Sequence, residues 1–192
     1  AYIFKGTTLV ISPLISLMKD QVDNLNSLGI NAAYISGGND FEEVKNIIRK
    51  FIKGEFKLLY VSPERLENKY FLDNIEKANI SQIVVDEAHC VSMWGHDFRK
   101  SYSKIKPFIC NLKKRPIITA FTATATEIVM KDSIELLGLH NPFIYKGSFS
   151  RDNLEINVLK EVDKLECISE IISEHEEESG IIYCSTKNEV EE

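Results

Sequence analysis

The chain has 192 residues, 44% of them hydrophobic and 27% charged, with a formal net charge of −6. This balance is close to that of ordinary globular domains and excludes an extended disordered chain, a collagen-like repeat and a disulfide-stapled miniprotein. No apolar run approaches the roughly 18 residues that a membrane span needs, and the opening AYIFKGTTLVIS lacks a basic flank, an apolar stretch and a cleavage site, so a soluble intracellular, cytoplasmic protein with no membrane partner is expected.

Short β-rich runs alternate with stretches of helical period, the pattern of an α/β fold in which helices cover a parallel sheet. The first strand is predicted over Thr8–Ile11. After it Leu14, Leu17, Met18, Val22, Leu25 and Leu28 recur at three- and four-residue spacing before Gly29, which predicts a helix ended by that glycine. A strand follows over Ala32–Ile35, and Asp40 three residues before Glu43 predicts a capping box opening a helix with Phe41, Val44, Ile47, Ile48 and Phe51 on its apolar side. Strands are then predicted over Lys57–Val61, Gln82–Asp86 and Ile117–Thr122, and a helix from about Thr126 carries Ile128, Val129, Ile134 and Leu137 before Gly138. All these apolar helix positions are expected in the core. Further strands are predicted over Leu154–Leu159 and Gly180–Cys184, with an acidic helix running through Ser173-Glu174-His175-Glu176-Glu177-Glu178 between them.

Charge divides the chain. Residues 1–150 hold 19 Lys and Arg against 16 Asp and Glu, whereas residues 151–192 hold 4 against 13. The polar segment Tyr145–Asn153, where the sign changes, is the expected boundary between a first lobe over 1–149 and the beginning of a second over 150–192. A strand pair with its helices is too small to stand as a sheet domain, so the second lobe is expected to be incomplete. Cys90, Cys110, Cys167 and Cys184 are spaced 20, 57 and 17 positions apart; no pair could bring two ligands to one zinc ion, and reduced thiols without a zinc site are expected.

The run Ile83-Val84-Val85-Asp86-Glu87-Ala88-His89 ends a buried strand in adjacent carboxylates, at the sheet edge where open α/β folds bind ligands. There Asp86 can hold Mg²⁺ through its water shell, and Glu87 can orient and polarise the water that attacks a γ-phosphate. Neighbouring strand residues point to opposite faces, so both acids serve one site only if the chain leaves the strand between them. Otherwise they are solvated acids at a strand end. Thr122-Ala123-Thr124, at the end of another strand, could bridge to that carboxylate loop or simply cap the next helix. The loop Ser92–Arg99 holds the single Trp of the chain, Trp94, with His96, Phe98 and Arg99. Aromatic faces beside a guanidinium suit stacked single-stranded bases, while the other reading makes Trp94 and Phe98 a plug over the core. Arg99, Lys100, Lys104, Lys106, Lys113, Lys114 and Arg115 form either a phosphate-facing surface or a solvated face. Ser12-Pro13 and Ser62-Pro63 each follow a strand, and a proline at the first helical position leaves backbone amides for a phosphate, or marks a plain helix start.

Taken in order, these stretches resemble the RecQ family of superfamily 2 DNA helicases. SPLISLMKDQV at 12–22 looks like motif Ia, VSPERL at 61–66 like motif Ib, VVDEAHCVSMWGHDFR at 84–99 like motif II with the aromatic-rich loop of these enzymes, and FTATAT at 121–126 like motif III. SFSRDN at 148–153 is similar to the inter-lobe linker and GIIYC at 180–184 to the opening of motif IV. Met93 stands where the family usually has Gln, Lys100 where it has Pro, and Ser150 and Asp152 where the linker has Asp and Pro.

The resemblance implies a RecA-like, P-loop NTPase-like parallel sheet with helices on both faces, and the cofactors ATP and Mg²⁺. It implies Mg²⁺ binding through water at Asp86, water activation at Glu87, coupling through His89, Thr122, Ala123 and Thr124, DNA-sensing by Trp94, His96, Phe98 and Arg99, and Ser12, Lys19, Ser62 and Arg65 along a single strand. As function it implies part of a 3′→5′ DNA helicase of repair and recombination, associated with a bacterial nucleoid, acting on single-stranded DNA, junctions and duplex ends; protein partners stay open. No Gly-Lys-Ser/Thr triplet occurs, so the phosphate-cradling loop is expected before residue 1, and the chain by itself is expected to be inactive. An RNA-directed DEAD/DEAH-type lobe and an ATP-independent module binding nucleic acid or a partner are the competing readings.

Overall fold

The computed structural model describes residues 1–95, 97–147, 153–160 and 163–191. Thr7–Ile11 forms β1, in which all five side chains are buried. Such an unbroken apolar run, unlike an alternating one, belongs to a parallel strand covered on both faces. Four more strands join it: β2 at Ala32–Ile35, β3 at Leu58–Val61, β4 at Ile80–Val85 and β5 at Ile117–Ala120. Every pairing is parallel, in the order β2-β3-β1-β4-β5. The register aligns Ile11 with Val61 and with Val85, Val61 with Ile35, and Val85 with Ala120. The residues one step beyond, Ser36, Ser62, Ser12, Asp86 and Phe121, therefore line one carboxyl edge.

Helices cover both faces, and the strand period of two decides which side chains meet which helix. Val10, Leu58 and Tyr60 pack with Met18 and Val22 of α1, Ile15–Ser27. Leu9, Ile11, Leu59, Val61 and Ile83 pack on the other face. They meet Val44, Ile48 and Phe51 of α2 (Phe41–Ile52), Phe71 and Ile75 of α3 (Lys69–Ile75), and Ile105, Phe108 and Ile109 of α4 (Ile105–Asn111). α5 spans Glu127–Leu136. Gly29, at φ +75°, ends α1 as predicted, since that left-handed turn is cheap only without a Cβ. The Asp40 capping box forms, Glu43 N donating to Asp40 Oδ1 at 2.8 Å and Asp40 N to Glu43 Oε2 at 3.1 Å. Leu14, Leu28, Phe41 and Ile128, expected in the core, are exposed. They lie at or near helix starts and ends, where the apolar stripe has run past its sheet.

Ala1–Ile144 and Tyr145–Glu192 are separate compact units. In the second, α6 spans Lys164–Glu174, capped by the Asp163 carboxylate, and α7 spans Asn188–Glu191. The strands predicted over Leu154–Leu159 and Gly180–Cys184 do not form; both stretches are irregular and exposed. Strands need partner strands and a layer to bury against, and none of the described residues of this unit is buried. α6 also stops before the acid run rather than passing through it. Consecutive carboxylates at a helix C-terminus repel one another and the negative end of the helix dipole. The linker residues 148–152 of SFSRDN lie outside the described residues. No helix among the described residues is long and apolar enough to cross a membrane.

Candidate functional site

β4 delivers Asp86 to the carboxyl edge, where the chain turns. Glu87 has φ +46° and ψ +47°, a left-handed conformation that costs a non-glycine residue roughly 1–2 kcal/mol. That single residue takes the chain off the strand, which lets adjacent carboxylates share one edge instead of facing opposite sides of the sheet. Asp86 is held from several directions. Its amide donates to Ile11 O at 2.9 Å, its Oδ1 accepts from Glu87 N at 3.0 Å, and its Oδ2 accepts from the Ser12 hydroxyl at 3.0 Å. The fully buried Tyr102 donates its phenol to Asp86 O at 2.8 Å. Burial first, and then the neighbouring Cys90, Asp86 and Glu87, raise the Tyr102 phenol above its usual range, so it stays a donor.

Glu87 and the next strand meet at one imidazole. His89 is buried, and its Nδ1 lies 2.8 Å from Thr122 Oγ1 and 3.2 Å from Glu87 Oε2. Thr122 Oγ1 also accepts from Thr124 N at 3.2 Å, and the ladder continues beneath, Phe121 N donating to Val85 O and Ala88 N to Phe121 O, both at 2.9 Å. Thr126, not Thr122, caps the following helix, through Val129 N. Ala123 and Thr124 are exposed.

The loop after His89 is pinned at both ends while its rings face solvent. Ser92 N donates to His89 O at 3.1 Å, Gly95 N to Ser92 O at 3.0 Å, and Arg99 N to Cys90 O at 2.9 Å. Trp94 is 77% exposed and Phe98 45%, so neither ring is the plug that one reading allowed. His96 lies outside the described residues. Arg99 is spent within the chain: its Nε and Nη2 donate to Asp97 Oδ2 at 3.3 and 3.1 Å, and its Nη1 to Pro13 O at 3.3 Å. It braces the loop base rather than standing open to a phosphate. Buried Cys90 beneath it has its thiol pushed up to about 11, by desolvation and then by Asp97, with Arg99 offsetting in part.

The residues expected along a single strand separate into different environments. Ser12 is 1% exposed and commits its hydroxyl to Asp86, which corrects its expected place on a nucleic-acid surface. Lys19 is exposed on α1. Arg65 is half-buried and donates from Nη2 to Ser36 O at 3.0 Å, and burial lowers its guanidinium pKa. Ser62 stands beside Glu64. Burial works to raise the Glu64 carboxyl, but hydrogen bonds from its own amide, Ser101 and Ser62, with the Arg99 charge, outweigh it and lower its pKa. In the basic run, Lys104 lies 3.9 Å from Glu67 and Lys113 4.0 Å from Glu76, while Lys106 and Arg115 donate to the carbonyls of Glu135 and Gly138. With Arg99, five of its cations thus have partners inside the chain.

Each carboxylate oxygen of Asp86 accepts one hydrogen bond from the chain, and each retains a further lone pair. Among the described residues no group of three or more His, Cys, Asp and Glu side chains is arranged to hold a metal ion directly. A lone, firmly held carboxylate fits a hydrated divalent cation better than a stripped one. Sequence reasoning missed Tyr102 altogether: a tyrosine in a polar stretch gives no sign that it folds back sixteen positions to the Asp86 carbonyl.

The DEAD/DEAH box helicase family model matches residues 4–132. Over 191 residues, all of this chain, the sequence is 42% identical to the ATP-dependent DNA helicase RecQ of Bacillus subtilis and 41% to that of Pasteurella multocida. It is 40% identical, over 96% of the chain, to the RecQ-like DNA helicase BLM of Xenopus laevis. The chain spans only 32%, 30% and 14% of the lengths of those relatives. Among solved structures, the Hef helicase domain of Pyrococcus furiosus matches with a TM-score of 0.54 at 21% identity, covering 71% of this chain and 28% of that one. The DUF1998 helicase MrfA bound to DNA matches with a TM-score of 0.52 at 16% identity, covering 69% of this chain and 20% of that one. At these identities the structural likeness is one of fold.

Proposed function

The chain belongs to the DEAD/DEAH box helicases, with RecQ DNA helicases similar to it along its whole length, and from that premise we propose that it carries the hydrolytic carboxylates and the DNA-sensing loop of an ATP-dependent DNA helicase. In this reading residues 1–149 belong to the first RecA-like lobe and 150–192 are the linker and beginning of the second. The whole protein couples Mg-ATP hydrolysis to 3′→5′ movement on single-stranded DNA, opening duplex ends and junctions in repair and recombination. Mg²⁺ would neutralise developing charge on the phosphates. Asp86 would hold it through the water shell, and Glu87, swung off the strand, would orient and polarise the attacking water. His89, sharing Nδ1 between Glu87 and Thr122, would pass a change at the carboxylate to the end of β5. Lys19 and Arg65 would meet the strand's phosphates and Trp94 and Phe98 its bases. Arg99 and Ser12 serve by holding the loop and Asp86 in place.

The observation that carries this reading is the exposure of Trp94 on a loop whose backbone is bonded to His89, itself in contact with Glu87. Fluorescence anisotropy with labelled single-stranded DNA, single-stranded RNA and duplex, at low and high salt, tests it. We expect salt-sensitive binding that favours single-stranded DNA and weakens about 5- to 150-fold in Trp94→Ala, the loss of one stacked base at about 1–3 kcal/mol. A preference for RNA would point to an RNA-directed lobe instead, and undiminished binding by a folded Trp94→Ala chain would remove the stacking role.

A further inference from the structure

The aromatic loop is attached to more than the segment that precedes it. Ser92, fully buried, donates its hydroxyl to Asp132 Oδ2 of α5 at 2.6 Å and accepts from Trp94 N at 3.1 Å. A hydroxyl has one proton, and committing it to a carboxylate turns the oxygen lone pairs toward the Trp94 amide. The neighbouring Ser133 hydroxyl lies 2.7 Å from Val129 O and 3.3 Å from Ala88 O, so the same turn of α5 also touches the start of the DEAH-bearing turn. α5 is capped by Thr126, four residues after the Thr122 that faces His89.

We propose that Asp132 is a positioning residue for the aromatic loop: by orienting the Ser92 hydroxyl it sets where Trp94 stands, and it makes α5 a second path, besides His89, between the end of β5 and that ring. Neither the family resemblance nor any motif assigned a role to Asp132. The consequence for DNA rests on the reading of Trp94 as a base-stacking residue; the positioning itself does not.

Trp94 is the single tryptophan of the chain, so its emission reports on this loop alone. The full chain and its Asp132→Ala, Ser92→Ala and double variants are compared by steady-state Trp anisotropy and acrylamide quenching, with circular dichroism verifying the fold. Asp132→Asn, which keeps the shape and an acceptor oxygen, stands in if the alanine variant does not fold. We expect each single variant to lower the anisotropy and raise the quenching constant, the double variant to add nothing further, and Asp132→Asn to fall between. Single-stranded DNA binding should weaken about fivefold in Asp132→Ala, the ratio that the net contribution of one hydrogen bond supports, and not at all when Trp94→Ala is already present. Unchanged Trp94 emission in folded variants, or fully additive effects of Ser92→Ala and Asp132→Ala, overturns the proposal. Altered emission with unaltered DNA affinity supports the positioning role and overturns the stacking role of Trp94 instead.

Discussion

Gly95 lies so close to the DEAH-bearing turn that a Cβ built on it would stand 2.5 Å from His89 O and 3.2 Å from Ser92 O. Both are backbone atoms and cannot rotate aside. The loop therefore reaches His89 only because this residue has no side chain. Gly95→Ala should cost about 1–3 kcal/mol of unfolding free energy by denaturant titration, the usual penalty of overpacking, and should shift Trp94 emission with it. An alanine variant of unchanged stability would mean that the loop stands off His89 freely. Glu87, at φ +46°, holds a left-handed backbone that an L side chain rarely adopts. Its strain sits where the adjacent carboxylates need a break in the strand.

Among the elements, α2 is the one whose start was readable residue by residue, because a capping box is a local transaction between Asp40 and Glu43 that needs nothing from the rest of the fold. Asp40→Ala removes the acceptor for Glu43 N and should lower stability by about 1 kcal/mol in thermal or denaturant unfolding; no change would mean that packing of Val44, Ile48 and Phe51 alone holds the helix. The strands predicted over Leu154–Leu159 and Gly180–Cys184 had the right composition and still failed to form. Composition describes one strand, whereas the ladder that stabilises it belongs to several. β5 lies at the end of the strand order, and Ile117 at its start and Phe121 just past its end are exposed. Among the described residues, that arrangement leaves backbone groups on one side of the strand without a neighbouring strand.

At the scale of the whole molecule the buried apolar clusters belong to Ala1–Ile144, and none of the described residues of Tyr145–Glu192 is buried. The acidic excess of residues 151–192 falls within the second unit. A chain ending at Ile144 should unfold with the same free energy as the first unit of the full chain to within about 0.5 kcal/mol in denaturant titration, the range expected when only exposed residues are lost. A marked drop would show that the second unit contributes to the core of the first.

The alternation of apolar strands and amphipathic stretches determined the class of fold, since burial on both faces of a parallel sheet dictates that pattern locally. The five strands of the first unit were legible for the same reason, and the capping of α2 because its bonds lie within four consecutive residues. Asp86 and Glu87 could be picked out because an apolar run ended in acids, but whether they share an edge was decided by one left-handed residue. Which serine serves which acid was a matter of register: Ile11 pairs with Val85, so Ser12 meets Asp86, 74 positions away. Trp94 as plug or platform turned on whether anything covers it, and nothing among the described residues does. Tyr102 under Asp86 and Asp132 behind Ser92 left no local trace. Their roles are hydrogen bonds between segments distant in sequence, and only the packed tertiary structure brings those segments together.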